Sequence, residues 1–116
     1  MGRISLENME FYAYHGCFEE EQTIGNRFVV NVVADTDTHQ AEATDNLLNT
    51  VNYQEIYWLV KAEMDIKSKL LEHVARRIAN SIKQGFPQIT WLSVKVSKIN
   101  PPLGGKIDSV SVLIEI

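Results

Sequence analysis

The sequence predicts one α+β domain: an antiparallel four-stranded sheet, in the order β-β-α-α-β-β, with two helices on one face. Three observations carry this expectation. Segments with the period-two apolar alternation of strands lie in pairs at the two ends of the chain. Helical periodicity occupies the middle. Firm breaks separate the segments, at Gly25-Asn26, at Gly85-Phe86-Pro87 and at Asn100-Pro101-Pro102-Leu103-Gly104-Gly105. At 116 residues the chain fits a single domain over 1–116 and leaves no room for two.

The first strand runs through Ile4-Ser5-Leu6 and Met9-Glu10-Phe11-Tyr12-Ala13-Tyr14. Its phase breaks near Glu7-Asn8, which predicts a bulge, and His15-Gly16 ends it. Phe28 to Asp35 is the second strand. It is apolar on both faces except at Asn31, whereas a sheet with helices on one side and water on the other would alternate more cleanly. We therefore expect its second face to be buried against other subunits. Gln40 to Asn46 suits a short turn. Asn52 can cap a helix from Tyr53 to about Met64, with Ile56, Leu59, Val60 and Met64 at helical spacing. Ser68 can cap a second helix, whose stripe is Leu70, Leu71, Val74, Ala75, Ile78, Ala79 and Ile82. Leu92, Val94 and Val96 then alternate with Ser93, Lys95 and Ser97. In the last strand Val110, Val112 and Ile114 alternate with Ser109, Ser111 and Glu115.

Composition narrows the function classes. Apolar residues make up 45% of the chain, enough for a packed core, but a chain this short leaves much surface unburied and assembly is a common remedy. A net charge of −4 without a basic cluster gives no general attraction for nucleic acid or anionic membrane. No apolar run reaches membrane-span length. The opening Met1-Gly2-Arg3-Ile4-Ser5-Leu6-Glu7 does not read as a secretory signal, and a lone cysteine, Cys17, suits a reducing compartment, so a cytoplasmic location is expected.

Several residues could bear chemistry. Lys98 stands at the end of a strand, directly before Ile99-Asn100-Pro101-Pro102, where prolines stiffen the turn. On its own it reads as a solvated strand-end lysine; it could move protons near neutral pH only if burial or nearby cations eased its deprotonation. Glu72 follows Leu70-Leu71 in the first turns of the second helix, where amide dipoles favour an anion. A carboxylate there can also accept two parallel hydrogen bonds from a planar N–H/N–H₂ edge, such as a guanine or pterin ring presents. Tyr53 opens the first helix and suits either packing or ring stacking. Glu19-Glu20-Glu21 reads most simply as a solvated loop. His15, His39 and His73 lack ligand spacing, so no metal site is expected. Cys17, near His15, is better taken as a small packed residue than as a nucleophile.

Taken in order, these pieces match one family. Met9-Glu10-Phe11-Tyr12-Ala13-Tyr14-His15-Gly16, Glu21-Gln22-Thr23-Ile24-Gly25, Asp45-Asn46, Thr50-Val51-Asn52-Tyr53, Leu70-Leu71-Glu72-His73-Val74-Ala75 and Val94-Lys95-Val96-Ser97-Lys98-Ile99-Asn100-Pro101-Pro102 resemble the dihydroneopterin aldolases in content, order and spacing. The resemblance covers essentially the whole chain, and Leu-Leu-Glu-His and Lys-x-Asn-Pro-Pro are its most specific parts. It implies the tunnelling fold, in which four subunits join their sheets into a sixteen-stranded barrel and two rings stack into an octamer, with active sites between subunits. It also implies a folate-pathway lyase that splits 7,8-dihydroneopterin into 6-hydroxymethyl-7,8-dihydropterin and glycolaldehyde, in many members with epimerase activity, and with neither metal nor Schiff base.

Carried onto this sequence, the resemblance implies that Glu72 holds the pterin's amino-pyrimidinone edge with help from the backbone near Leu71. It implies that Lys98 takes and returns protons through a bound water. Tyr53 would pack on the ring and assist protonation, and Glu21, rather than Glu19 or Glu20, would contact the substrate's side-chain end. Asn52 stands where members commonly carry His or Ser. Two other readings remain open. A dihydroneopterin triphosphate 2'-epimerase would need cations near the triphosphate, which the Glu19-Glu20-Glu21 run disfavours. A pterin-binding module without catalysis would keep Glu72 and could dispense with Lys98.

Overall fold

The computed structural model describes all residues from Met1 to Ile116. Strands β1 (Gly2–Ala13), β2 (Asn26–Thr36), β3 (Trp91–Ile99) and β4 (Ser109–Glu115) form one antiparallel sheet in the order β1-β2-β3-β4. Helices α1 (Glu19–Ile24), α2 (His39–Thr44), α3 (Tyr53–Met64) and α4 (Leu71–Gly85), with a 3₁₀ turn at Leu47–Asn49, complete the chain. The four-stranded antiparallel α+β sheet is the one the alternation predicts.

The bulge forms where the phase breaks. Pairing passes from Leu6↔Val32 to Met9↔Val30, so Glu7 and Asn8 together oppose Asn31. Asn8 takes the left-handed backbone, φ 56°, and its N–H donates to Asn31 Oδ1 at 2.8 Å. The extra residue corrects the phase. Ile4 and Leu6 before it, and Met9 and Ala13 after it, all turn to the helix-covered face.

That face carries the core. Phe28, Val30, Val32 and Ala34 of β2 meet Leu92, Val94 and Val96 of β3, and all are buried. Helix α3 contributes Ile56, Val60 and Met64, and α4 contributes Val74, Ala75, Ile78, Ala79 and Ile82. Asn52 caps α3 as expected, its side chain accepting from the Gln54 N–H at 3.0 Å.

Three local expectations are corrected. Glu19-Glu20-Glu21 is the first turn of α1, not a loop; three carboxylates at a helix N-terminus favour the amide dipoles there. The turn expected at Gln40 to Asn46 is largely helix α2. Ser68 does not cap α4, because the chain stays extended through Leu70 (φ −116°, ψ 141°) before the helix begins. Leu70 accordingly lies exposed, outside the core stripe.

On the opposite face, Val29 and Val33 of β2 remain partly exposed, among Ser93, Lys95 and Ser97 of β3. β1 and β4 are both open edges, each with a row of backbone groups available for pairing.

Candidate active site

At one end of the sheet, next to the first turn of α4, lies a cavity of about 550 Å³. Its lining includes Glu21, Leu71, Glu72 and Lys98, with His15, Glu20 and Cys17 beside them. Four of the five residues singled out from the sequence thus share one space, brought from α1, α4 and β3.

Lys98 is not solvated. It is 9% exposed and stands on the helix-covered face, between Phe28 of β2 and Val110 of β4. Its ammonium donates to the carboxylate of Glu21, as a salt bridge, and to the His15 carbonyl at 3.4 Å. The sequence held a sign of this, since Lys98 is in phase with Leu92, Val94 and Val96 and continues their buried face.

Glu21 is held on its other side by the Phe18 N–H, which reaches Oε1 at 3.3 Å. The hydrogen bond from Lys98 holds its carboxyl below the usual carboxylate range, reinforced by the Phe18 amide and the lysine's charge and opposed by burial. Glu21 is therefore a carboxylate at neutral pH, held against the Lys98 side chain.

Glu72 is exposed, within the first turn of α4. The amides that open a helix have no acceptor within it, so Leu71 and Glu72 present backbone donors together with a carboxylate. That combination fits a flat heterocycle carrying carbonyl, N–H and amino groups along one edge. Leu70, Leu71, Pro101 and Pro102 supply apolar surface.

Tyr53 is not brought in. It is 67% exposed and lines a different cavity, with Val51, Asn52 and Arg3.

Sequence reasoning missed His15 as part of this site. It is 1% exposed and accepts the Ser68 N–H on Nδ1 at 3.0 Å. The available signal was its phase, continuing Met9, Phe11 and Ala13. Burial pushes its pKa down to about 4; the charges of Arg77 and Lys98 add to this, and the Met64 carbonyl pulls weakly the other way. Ser68 and Arg77 extend the polar cluster, with Arg77 Nη2 donating to Ser68 Oγ at 2.9 Å and Nη1 to Glu63 Oε1 at 2.8 Å. No group of three or more His, Cys, Asp or Glu side chains is arranged to hold a metal ion.

Comparison with known proteins places the chain beside one family. The dihydroneopterin aldolase family model matches residues 4–115. The dihydroneopterin aldolase of Bacillus subtilis is 40% identical over 113 residues, spanning 97% of this chain and 94% of that protein. Among solved structures, that of the E. coli dihydroneopterin aldolase in complex with neopterin superposes with a TM-score of 0.91 at 25% identity, over 100% of this chain and 99% of the other. A dihydroneopterin aldolase from Burkholderia thailendensis, bound to guanine, shares the fold with a TM-score of 0.79 at 22% identity, over 99% of this chain and 89% of the other.

Proposed function

The chain belongs to the dihydroneopterin aldolase family, a folate-pathway lyase of the tunnelling fold, and we propose that it splits 7,8-dihydroneopterin in the cavity between α1, α4 and β3. The observation that carries this reading is that one cavity holds both a ring-edge acceptor, Glu72 with the Leu71 backbone, and a proton-carrying pair, Lys98 with Glu21.

The reaction needs a base and an acid in turn. The side-chain hydroxyl on the second carbon loses its proton, the bond between the first and second carbons breaks, and glycolaldehyde leaves. The electron pair flows into the protonated C=N at N5 of the dihydropterin, which serves as the electron sink that a Schiff base provides in other aldolases. A proton is then returned to the first carbon, giving 6-hydroxymethyl-7,8-dihydropterin. Glu72 and the Leu71 backbone orient the ring. Lys98 carries protons through a bound water, and Glu21 meets the side-chain hydroxyls and holds the lysine in place.

Because the substrate brings its own sink, no metal is required. The engagement of the Lys98 ammonium by Glu21 and the His15 carbonyl supports a proton carrier over a free nucleophilic amine.

The same site implies assembly. Tyr53 lines a separate cavity in the subunit, so a Tyr53 that packs on the pterin comes from a neighbouring chain. The subunit's shape supports this. Its radius of gyration is 15.5 Å, against about 13 Å for a compact chain of this length. Joining the open edges of β1 and β4 between copies closes the sheets into a barrel, of tetramer or octamer size.

The test is incubation with dihydroneopterin, with and without a chelator, followed by product identification. Equal yields of 6-hydroxymethyl-7,8-dihydropterin and glycolaldehyde, unaffected by the chelator and with no lysine trapped by borohydride, are expected. A stereoisomer with no glycolaldehyde, or loss of turnover with the chelator, would defeat the proposal.

A further inference from the structure

We propose that His15-Gly16 is the positioning element that joins the two halves of this site, the His15 side chain fixing the segment that presents Leu71 and Glu72, and the absent side chain of Gly16 seating Glu21 against Lys98. The proposal rests on the functional reading above for its catalytic consequences but not for its geometry.

The two halves lie far apart in sequence. Glu72 projects from the first turn of α4; Lys98 ends β3 and Glu21 lies in α1. Both are tied to His15 and Gly16, which lie just beyond the end of β1. On the ring-binding side, the Ser68 N–H donates to His15 Nδ1 at 3.0 Å, and the Gly16 N–H donates to the Ser68 carbonyl at 2.9 Å. Ser68 is thereby clamped through both of its backbone polar groups, four residues before Glu72. Its hydroxyl is taken by Arg77 Nη2 at 2.9 Å and His73 Nδ1 at 2.7 Å, so the segment leaves for α4 from a fixed point.

The His15 ring must be neutral to accept that amide. It packs edge-on against Phe28, centroids 5.2 Å apart, and its burial beside Arg77 and Lys98 disfavours the cation.

On the proton-transfer side, the His15 carbonyl accepts from Lys98 Nζ at 3.4 Å and the Gly16 carbonyl accepts from Gln22 Nε2 at 2.8 Å. A Cβ on Gly16 would lie 2.5 Å from Glu21 Cβ and 2.6 Å from its Cδ. The near end of the side chain cannot step aside freely, so an alanine at position 16 would drive Glu21 off Lys98.

Neighbouring positions should therefore fail in opposite ways. His15→Ala removes the acceptor and loosens Ser68; the dissociation constant for 6-hydroxymethyl pterin should rise about tenfold, with kcat within about threefold of wild type. His15→Asn places an amide oxygen near Nδ1 and should restore affinity. Gly16→Ala should lower kcat about a hundredfold and leave pterin affinity within about threefold. Added to Glu21→Ala, it should cost no further turnover, because both changes act through one contact.

Hydrogen exchange at the Ser68 amide, followed in the full oligomer without ligand, separates the clamp from its catalytic consequences. Faster exchange in His15→Ala, reversed in His15→Asn, supports the clamp even if wild type cleaves no dihydroneopterin and the functional reading falls. Unchanged Ser68 protection, parallel losses of affinity and turnover in both variants, or an additive Gly16→Ala, Glu21→Ala pair would each overturn the proposal.

Discussion

Acidification from pH 7 to pH 5 should destabilise the protein through one residue, His15. Its ring titrates near 6.5 in the unfolded chain and at about 4 in the native one. Between those values the unfolded state holds a proton that the native state does not, so stability falls as the pH drops and the loss is complete below about 4. The full effect is about 3 kcal/mol, at about 1.4 kcal/mol for each tenfold change in proton affinity, and about 2 kcal/mol of it falls between pH 7 and pH 5. The cause is spatial: the ring is 1% exposed, Nδ1 is engaged by the Ser68 amide, and the Arg77 and Lys98 cations are close. The assay is urea denaturation of wild type and His15→Asn at both pH values and one protein concentration. Wild type should lose about 2 kcal/mol more than the variant on acidification. Glu21 does not confuse the result. Its carboxyl is held low by Lys98, so its contribution is present above the ordinary carboxylate range and is lost only as the pH falls through its depressed value. His73 remains in both proteins. The same slope in wild type and His15→Asn would refute the reasoning.

Three further outcomes follow from named contacts. Glu72→Ala should weaken pterin binding by about 2 kcal/mol, roughly thirtyfold, measured by fluorescence titration, because a charged acceptor of two ring hydrogens is lost. Mixing Tyr53→Ala subunits with Lys98→Ala subunits, each nearly inactive alone, should restore part of the activity after refolding together, since some sites would then draw both residues from intact copies; no recovery would argue for sites within single chains. Ile78→Ala, deep beneath the sheet at 0% exposure, should cost about 3 kcal/mol in denaturation without changing the pH profile of turnover.

The scaffold was legible because its signals are periodic and local. Val94 and Val96 alternate as half-buried strands must, Ile56, Val60 and Met64 repeat at helical spacing, and even the bulge at Glu7-Asn8 appeared as a lost phase. What stayed hidden depends on tertiary contact. Three consecutive glutamates resemble a solvated loop until Phe18 and Lys98 engage Glu21 and make it the first turn of a helix. Ser68 looks like a helix cap, but its hydroxyl is drawn to Arg77 and His73, residues it meets only once α4 has packed. Lys98 taken alone resembles a surface lysine, and only its phase with Val94 and Val96 hints otherwise. Tyr53 is the reverse case, identified by resemblance yet placed by the fold at a different cavity.

Lys98 bears most directly on whether this cavity is a site of proton transfer or only of binding. In Lys98→Ala, affinity for 6-hydroxymethyl pterin should stay within about threefold of wild type, while cleavage of dihydroneopterin falls by at least about a hundredfold. Cleavage near the wild-type rate, or affinity lost in step with turnover, would contradict the division of labour between Glu72 and Lys98.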